Sequence, residues 1–417
     1  MPLNIVMIQF ERHILDNGLV ILMNIDKTTP LVAFNILYNV GSKNEEETKT
    51  GLAHLFEHLM FSGTESVPDF DSQTQIVGGE NNAFTNADIT DFYITLPAQN
   101  IETAFWLESD RMVNLVLSNE KFENEKRVVI EEFKETSINV PYGDMWHHLS
   151  GLSYSKHPYK WPTIGKKIEH IENFTIDDIF RYYNNYYHPG NAVLSISGNF
   201  EKENVIRLAE KWFGRISKTG QSEFYFQQEP KQKSSKTKII NENVPSNAIF
   251  MAFHMSGRND NNYYAQDLIS DVLGRGRSSR LYHNLVKDKE VFTDLYAYVT
   301  GNIDPGLLIV GGNFADKTDS DFAIESIQKE LSLMKNKQVK KHELRKQINK
   351  IENQMAFSEI GILNKAINLA QYELLGDADL INKQEELYDK VNPEDILRES
   401  KKILLEDNCS KVLYLKS

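Results

Sequence analysis

The sequence predicts an α+β protein built of two similar domains, each a sheet with flanking helices. Three observations support this fold class. Strand-like and helix-like segments alternate with hairpins, which is typical of α+β folds rather than of a purely parallel sheet. A polar, linker-like segment divides the 417 residues into halves that are each large enough for a core. Short patterns of the first half also return in the second half at a nearly constant spacing.

The first half begins with a predicted β-hairpin, in which FERHIL and LVILMNI flank the turn Asp16-Asn17-Gly18. A third strand is predicted over Leu31–Tyr38, followed by a helix that carries HLFEHLMF. The segment NNAFTNADITDFYITLP alternates as β-structure does and ends at Pro97. Helices are predicted next, over Ile101–Val116 and Asn119–Ser137.

The second half repeats patterns of the first. TPLVAFNILYNVGS is similar to VPSNAIFMAFHMSGR, and TIDDIFRYY is similar to NPEDILRES. Pro30 and Pro245 are 215 positions apart, and Asp178 and Asp395 are 217 apart. These matches at one period indicate a duplicated fold.

The predicted domain boundary is the most linker-like segment, residues 217–238, whose second part is polar, basic and nearly free of aliphatic residues. We therefore expect one domain over residues 1–216 and a second over residues 239–417.

Composition excludes several classes of protein. The single cysteine, Cys409, excludes an intrachain disulfide and fits a reducing compartment. The formal charge of −13 argues against nucleic-acid and anionic-membrane partners. No apolar run approaches the roughly 18 residues that cross a bilayer, and we expect no secretory signal at the N-terminus. The predicted location is cytoplasmic.

The segment HLFEHLMF carries the strongest functional pattern. His54 and His58 are four residues apart, so a helix places both imidazoles on one face, where they can bind one metal ion. Glu57 lies beside them, within reach of a metal-bound water. The pattern HxxEH reverses the HExxH of zinc proteases and is typical of inverzincins. The alternative interpretation is a helix whose histidines are hydrogen-bonded in a core.

A third ligand must come from elsewhere, because catalytic zinc usually takes three protein ligands and a water. The candidate source is the helix ENEKRVVIEEFKE. Glu125 and Glu132 are seven residues apart, which is about 700° at helical pitch, so they share one face. Glu131 points about 100° away from Glu132, and Glu123 and Glu135 flank the ends. Periodicity alone leaves the choice of ligand open.

These segments together resemble a known family. HLFEHLMFSGTE, ENNAFTNADITDFYITLP and ENEKRVVIEEF are similar to the pitrilysin and mitochondrial-processing-peptidase family of zinc metallopeptidases, in its shorter form with two homologous domains per chain. The resemblance extends through PTIGKKIEHIENFTIDDIFRYYNNYYHPGNAVLSISGNF and into the second half. It implies that the repeat is real and that the two domains form a clam-like half.

The resemblance also implies the ligand set. The third zinc ligand of the family ends a pattern E-x6-E, which corresponds here to Glu132, with Glu125 as the supporting carboxylate. One Zn2+ per chain is then expected on His54, His58 and Glu132, with Glu57 as the general base.

Substrate binding is implied for a strand that contains Asn82, Ala83 and Phe84. It resembles the edge strand of the family, to which an extended peptide adds by main-chain pairing. Taken alone, NNAFTN is an ordinary turn and strand.

The second half departs from the full pattern of the family. Members with the whole site have an arginine and, seven residues later, a tyrosine after a segment like SSRLYHNL. Val286 and Thr293 stand at those positions, and no HxxEH occurs in the second half. The sequence therefore predicts a heterodimer, in which a homologous subunit without zinc supplies this substrate clamp. A homodimer is the alternative.

The leading functional prediction is a zinc endopeptidase that cleaves unfolded peptides as the catalytic subunit of that heterodimer. The alternative is a non-catalytic assembly or binding subunit, which the family also contains. A third reading is a zinc hydrolase of a non-peptide bond, since HxxEH does not name the bond. The intact metal motif favours the first prediction.

Overall fold

A computed structural model describes residues 7–218 and 225–417. The strands of these residues are β1 (Glu11–Ile14), β2 (Val20–Ile25), β3 (Leu31–Tyr38), β4 (Glu80–Thr85), β5 (Thr90–Pro97), β6 (Ala192–Gly198), β7 (Lys236–Glu242), β8 (Ala248–His254), β9 (Phe292–Val299), β10 (Leu307–Phe314) and β11 (Cys409–Lys416). The predicted hairpin and the strand over Leu31–Tyr38 are confirmed, and NNAFTNADITDFYITLP forms two strands, β4 and β5.

The helices are α1 (Leu52–Leu59), α2 (Phe70–Ile76), α3 (Ile101–Val113), α4 (Asn119–Phe133), α5 (Met145–Ser153), α6 (Ile168–Glu172), α7 (Ile176–Tyr186), α8 (Lys202–Trp212), α9 (Tyr263–Gly274), α10 (Ser320–Asn336), α11 (Lys341–Ser358), α12 (Ile362–Leu374), α13 (Leu380–Asp389) and α14 (Pro393–Ile403). The helix α3 ends before the predicted Val116, because Leu115 pairs as an isolated β-bridge with Thr64. The helix α4 continues as a π-helical turn over Lys134–Ile138. Within residues 7–218 and 225–417, every helix is too short or too polar to span a lipid bilayer.

The chain divides into two compact units. The first consists of Met1–Phe133, Pro162–Tyr225 and Gln354–Lys383, and the second of Lys134–Trp161, Phe226–Asn353 and Gln384–Ser417. The units are therefore interleaved along the sequence. Within the predicted linker, residues 219–224 lie outside the described residues, and β7 begins at Lys236. The domain limits 1–216 and 239–417 concern a sequence repeat, and they stay a prediction.

The two units contain sheets of the same topology. The sheet of the first unit has the order β1-β2-β6-β3-β5-β4, and that of the second has β7-β11-β8-β10-β9. The pairs β2–β6 and β7–β11 are parallel, and the other pairs are antiparallel. Without β1, each strand of one sheet has a counterpart in the other. This correspondence confirms two similar sheet-and-helix domains.

Two local features repeat with the topology. Gly41 follows β3, and a Cβ there would lie 2.4 Å from the carbonyl oxygen of Asn86 in the turn of the next hairpin. Gly257 follows β8, and a Cβ there would lie 2.2 Å from the carbonyl oxygen of Ile303 in the corresponding turn. Only glycine allows this close approach of backbone to backbone. Capping boxes also begin the corresponding helices α7 and α14, where Thr175 pairs with Asp178 and Asn392 pairs with Asp395.

The first unit packs helices on both faces of its sheet. One face forms the larger core with α1, α3 and α7, which contains Phe34, Phe56 and Phe105. The other face is covered by α12, where Leu369 and Ala370 pack with Leu22, Leu37 and Val193. In the second unit, α5 packs on β7, β8 and β11. Each sheet is therefore covered by a helix from the opposite half of the sequence.

Candidate metal centre

The helix α1 is held by an apolar face. Leu55, Phe56 and Leu59 are fully buried in the larger core, and the rings of Phe56 and Tyr187 are 4.3 Å apart. His54 and His58 share another face of the helix, which is only partly buried. This division explains the three polar groups of the motif, because they lie on the side away from the core.

The helix α4 packs against α1. Phe122, Val129 and Phe133 bury one side of α4, while Glu125 and Glu132 are partly exposed. Because these glutamates are seven residues apart, both lie on a single face two turns apart. The packing of α4 on α1 brings this face to the histidines.

Three of the predicted residues form a cluster that fits a metal ion. A carboxylate oxygen of Glu132 lies 3.7 Å from Nε2 of His54 and 3.6 Å from Nε2 of His58. All three ligand atoms lie within 4.8 Å of one another. Zinc–ligand bonds of about 2.0–2.1 Å in a tetrahedral site put neighbouring ligand atoms about 3.3–3.4 Å apart. Two imidazole nitrogens and one carboxylate oxygen are also a donor set that zinc prefers.

The other glutamates of α4 have different surroundings. Glu131 and Glu135 are exposed and do not belong to the cluster. Glu123 lies 3.2 Å from the ammonium group of Lys126. Among the described glutamates of α4, Glu132 is the one that joins both histidines in this cluster, and its role as the third ligand stays a prediction.

Glu125 contacts the nitrogen of His58 that faces away from Glu132. Its carboxylate oxygen lies 3.5 Å from Nδ1 of His58. This hydrogen bond is the largest cause that raises the pKa of His58 above its ordinary value. Burial instead lowers the pKa of His54 to about 4, so His54 is neutral at neutral pH and its lone pair is available.

Glu57 lies between the histidines and the edge of the sheet. Burial raises its pKa above the ordinary value, and a hydrogen bond from the hydroxyl of Thr85 acts in the opposite direction. A raised carboxyl pKa suits a general base near neutral pH. Sequence reasoning missed Thr85, although it is the last residue of NNAFT and ends β4.

Among the residues that the structure describes, β4 is the edge of its sheet and pairs only with β5. Asn82 is exposed, and Ala83 and Phe84 are partly buried. The N–H of Ala83 donates to the side-chain oxygen of Asn82 at 2.8 Å. The outer edge therefore offers main-chain groups to which an extended segment can pair.

The second unit has neither an arginine nor a tyrosine at the two positions of the expected substrate clamp. Val286 lies in a π-helical turn over Tyr282–Asp288, and Thr293 lies in β9, where its hydroxyl donates to the carbonyl oxygen of Asn313 at 3.3 Å. A Cβ on Gly274, at the end of α9, would lie 1.9 Å from the backbone nitrogen of Ala297 in β9. The helix and the edge strand are thus in direct contact there.

Two imidazoles in the order HxxEH on one helix, with a carboxylate from the adjacent helix, match the pattern of inverzincin metallopeptidases. Comparison with known proteins agrees. Residues 20–165 match the family described as insulinase (peptidase family M16), and residues 173–351 match the peptidase M16 inactive domain. The chain belongs to peptidase family M16, the insulinase and pitrilysin family.

Several relatives are zinc proteases by name. The zinc protease PqqE of Helicobacter pylori is 30% identical over 77% of this chain and 72% of that protein. The uncharacterized zinc protease YmxG of Bacillus subtilis is 25% identical over 88% of each chain. Subunit beta of the mitochondrial-processing peptidase of Saccharomyces cerevisiae is 29% identical over 49% of this chain and 44% of that protein.

Solved structures share the fold. The crystal structure of a protease from Helicobacter pylori has a TM-score of 0.91 at 25% identity and covers 97% of this chain and 99% of that one. Pitrilysin has a TM-score of 0.79 at 17% identity, and the match covers all of this chain and 46% of that one.

Proposed function

We propose that this chain is a zinc-dependent endopeptidase that cleaves unfolded peptides. The observation that carries the proposal is the cluster of His54, His58 and Glu132, with Glu57 beside it and an edge strand within reach of Glu57 through Thr85. Membership of peptidase family M16 supports a peptide as the substrate.

The proposed reaction assigns a task to each group. His54, His58 and Glu132 hold one zinc ion, which when bound lowers the pKa of water and polarises a carbonyl group. Glu57 accepts a proton from the attacking water and delivers it to the leaving amine. Glu125 orients the ring of His58. Main-chain groups of Asn82, Ala83 and Phe84 hold the peptide as an added strand.

We also propose that the chain works with a homologous partner as a heterodimer. Val286 and Thr293 offer neither a cation nor a phenol, so the clamp expected of the family must come from another chain. The beta-subunit relative supports this, since by its name it is one subunit of a larger peptidase. A cytoplasmic location is part of the proposal and rests on the single, buried cysteine.

A non-catalytic assembly or binding subunit is the second candidate. The match of residues 173–351 to a domain described as inactive favours it. That match begins after the HxxEH segment, which lies within residues 20–165.

The test compares zinc content and peptide cleavage in four forms of the full chain, with and without a homologous partner subunit. We expect one zinc per chain in the wild type and in Glu57→Gln, and loss of zinc in His58→Ala. Cleavage should fall by about 10²–10⁴ in Glu57→Gln, because the general base is lost. Glu123→Gln, a change of an exposed carboxylate on the same helix as Glu132, is the matched control and should keep full activity. A zinc-loaded wild type that cleaves nothing with its partner would establish the non-catalytic role.

A further inference from the structure

A short segment, residues 41–45, follows β3 and is bonded to the turn that ends β4. The N–H of Ser42 donates to the carbonyl oxygen of Asn86 at 3.1 Å. The N–H of Lys43 donates to the carbonyl oxygen of Ala87 at 2.9 Å. Since Asn86 follows the last residue of β4, this end of the 41–45 segment is fixed to the edge strand.

A buried ion pair strengthens the same attachment. The ammonium group of Lys43 lies 2.8 Å from a carboxylate oxygen of Asp88, and both side chains are almost fully buried. Removal of one member would leave the other charge buried without its partner, which is strongly unfavourable. The attachment is therefore rigid.

The other end of the segment holds the helix that carries the histidines. The carboxylate of Glu45, which is only 3% exposed, accepts hydrogen bonds from the N–H of Gly51 at 3.0 Å and of Ala53 at 2.8 Å. Gly51 has a left-handed backbone (φ 93°) and no side chain, so α1 has no N-cap side chain of its own. Glu45 satisfies two of the backbone donors that a helix start leaves free, and its negative charge is favourable there.

We propose that Glu45 is a positioning residue of the metal centre. The 41–45 segment sets the distance between the edge strand β4 and α1. Glu45 contacts α1 at Ala53, the residue that precedes His54. Because a peptide bound to β4 must meet the metal and Glu57 in register, this distance controls catalysis rather than binding. The inference rests on the proposed peptidase function and names the residue that aligns its two parts.

The experiment replaces Glu45 by Gln, whose amide accepts only one of the two hydrogen bonds. A displacement on the order of 1 Å can cost about 10²-fold in rate. We expect kcat to fall about 10- to 100-fold, with KM within about threefold and one zinc per chain at saturation. Amide hydrogen exchange of residues 51–59 in the metal-free protein should accelerate at least about tenfold, and the absorption spectrum of the Co2+-substituted protein should shift.

Asp319→Ala is the matched control, because it also removes an acidic acceptor at a helix start, that of α10 in the second unit. It should lower the thermal midpoint while kcat, the exchange of residues 51–59 and the Co2+ spectrum stay unchanged. If Glu45→Gln affects only stability, as Asp319→Ala does, Glu45 is merely structural and the proposal is wrong.

The exchange and Co2+ measurements separate this proposal from the peptidase proposal. If the wild type cleaves no peptide, the peptidase function fails, while a loosened α1 and a shifted Co2+ spectrum still support the role of Glu45. If Glu45→Gln does not fold, the pair Lys43→Met and Asp88→Asn releases the opposite end of the segment. That variant should lower kcat without accelerating exchange in α1, and an unchanged kcat would overturn the proposal.

Discussion

Glu125 and Glu132 contact opposite sides of the same imidazole: Glu125 lies 3.5 Å from Nδ1 of His58, and Glu132 lies 3.6 Å from Nε2. The outer contact favours the protonated ring, which raises the pKa of His58. It also orients the ring toward the metal position. The two effects act on metal binding with opposite signs, and their balance changes with pH.

The first prediction concerns this balance. Glu125→Gln should weaken zinc binding about 10- to 100-fold at alkaline pH, where proton competition for His58 is least and the orientation of the ring decides the affinity. As pH falls, protonated His58 competes with zinc, and the competition begins at a higher pH in the wild type because its pKa is raised. The difference in zinc affinity should therefore narrow toward pH 5.5. Competition with a chromophoric chelator at several pH values measures it.

Glu123→Gln serves as the control for that series, since Glu123 is on the same helix and pairs with Lys126. If the difference in zinc affinity between the wild type and Glu125→Gln widened at acid pH, the assigned contact between Glu125 and His58 would be contradicted.

The second prediction is that the chain alone is a poor peptidase. Orientation of the peptide contributes several kcal/mol to lowering a barrier, and β4 pairs on one side only. With a homologous subunit that carries the arginine and tyrosine, kcat/KM on unstructured peptides should rise by about 100-fold or more. A partner in which both residues are replaced by alanine is the control. Full activity of the isolated chain would show that another group of this chain holds the peptide.

The third prediction concerns α12 and α5, the helices that cover the sheet of the opposite half of the sequence. Leu369→Ala in α12 should destabilise the first unit by about 2–5 kcal/mol, because it leaves a cavity against its sheet. Amide exchange should accelerate in β3 and β6 and not in β8 and β11. Leu149→Ala in α5 should do the reverse, since α5 packs on the second sheet. Acceleration in β8 and β11 on Leu369→Ala would disprove the interleaved packing.

The fourth prediction concerns a buried carboxyl group of α9. Burial raises the pKa of Asp271 from 3.8 to about 6, although Arg275 lies 3.0 Å away. The protonated form of Asp271 therefore stabilises the fold; this contribution is complete below about pH 3.8 and is lost as pH rises through about 6. At about 1.4 kcal/mol per pH unit, the loss amounts to about 3 kcal/mol.

Asp271→Asn removes this titration. Between pH 4 and pH 8, the variant should gain up to about 3 kcal/mol of stability relative to the wild type, measured as the difference between their free energies of unfolding in chemical denaturation. For the control Asp395→Asn, at a partly exposed helix cap, the stability relative to the wild type should not show the same dependence on pH. An equal pH dependence of wild type and Asp271→Asn would contradict the raised pKa.

Much of the first unit follows from local pattern. The alternation of LVAFNILY predicts β3 at its observed limits, and the spacing of His54 and His58 predicts their common face. The choice of Glu132 over Glu131 or Glu135 does not follow from pattern, because it depends on how α4 crosses α1. Resemblance to the family supplied that choice, and the geometry agrees with it.

The sequence does not predict that α5 and α12 each pack on the sheet of the opposite half, for a similar reason. An apolar helical face predicts burial, but it does not say which of two sheets buries it. Leu369 and Ala370 belong by position to the second half, yet they cover the sheet of the first unit. The carboxylate of Glu45 was missed because its partners are backbone groups, which leave no signal in the sequence.

The interleaved chain constrains the order in which the protein can be made. All strands of the first sheet have been synthesised when β6 ends at Gly198, but α12 begins only at Ile362, 164 residues later. At about 5–20 residues per second, translation of that stretch takes about ten to thirty seconds. During this interval Leu22, Leu37 and Val193 lack the contacts that Leu369 and Ala370 of α12 provide in the complete protein. The first unit can therefore complete its core only after most of the second half of the chain has been synthesised.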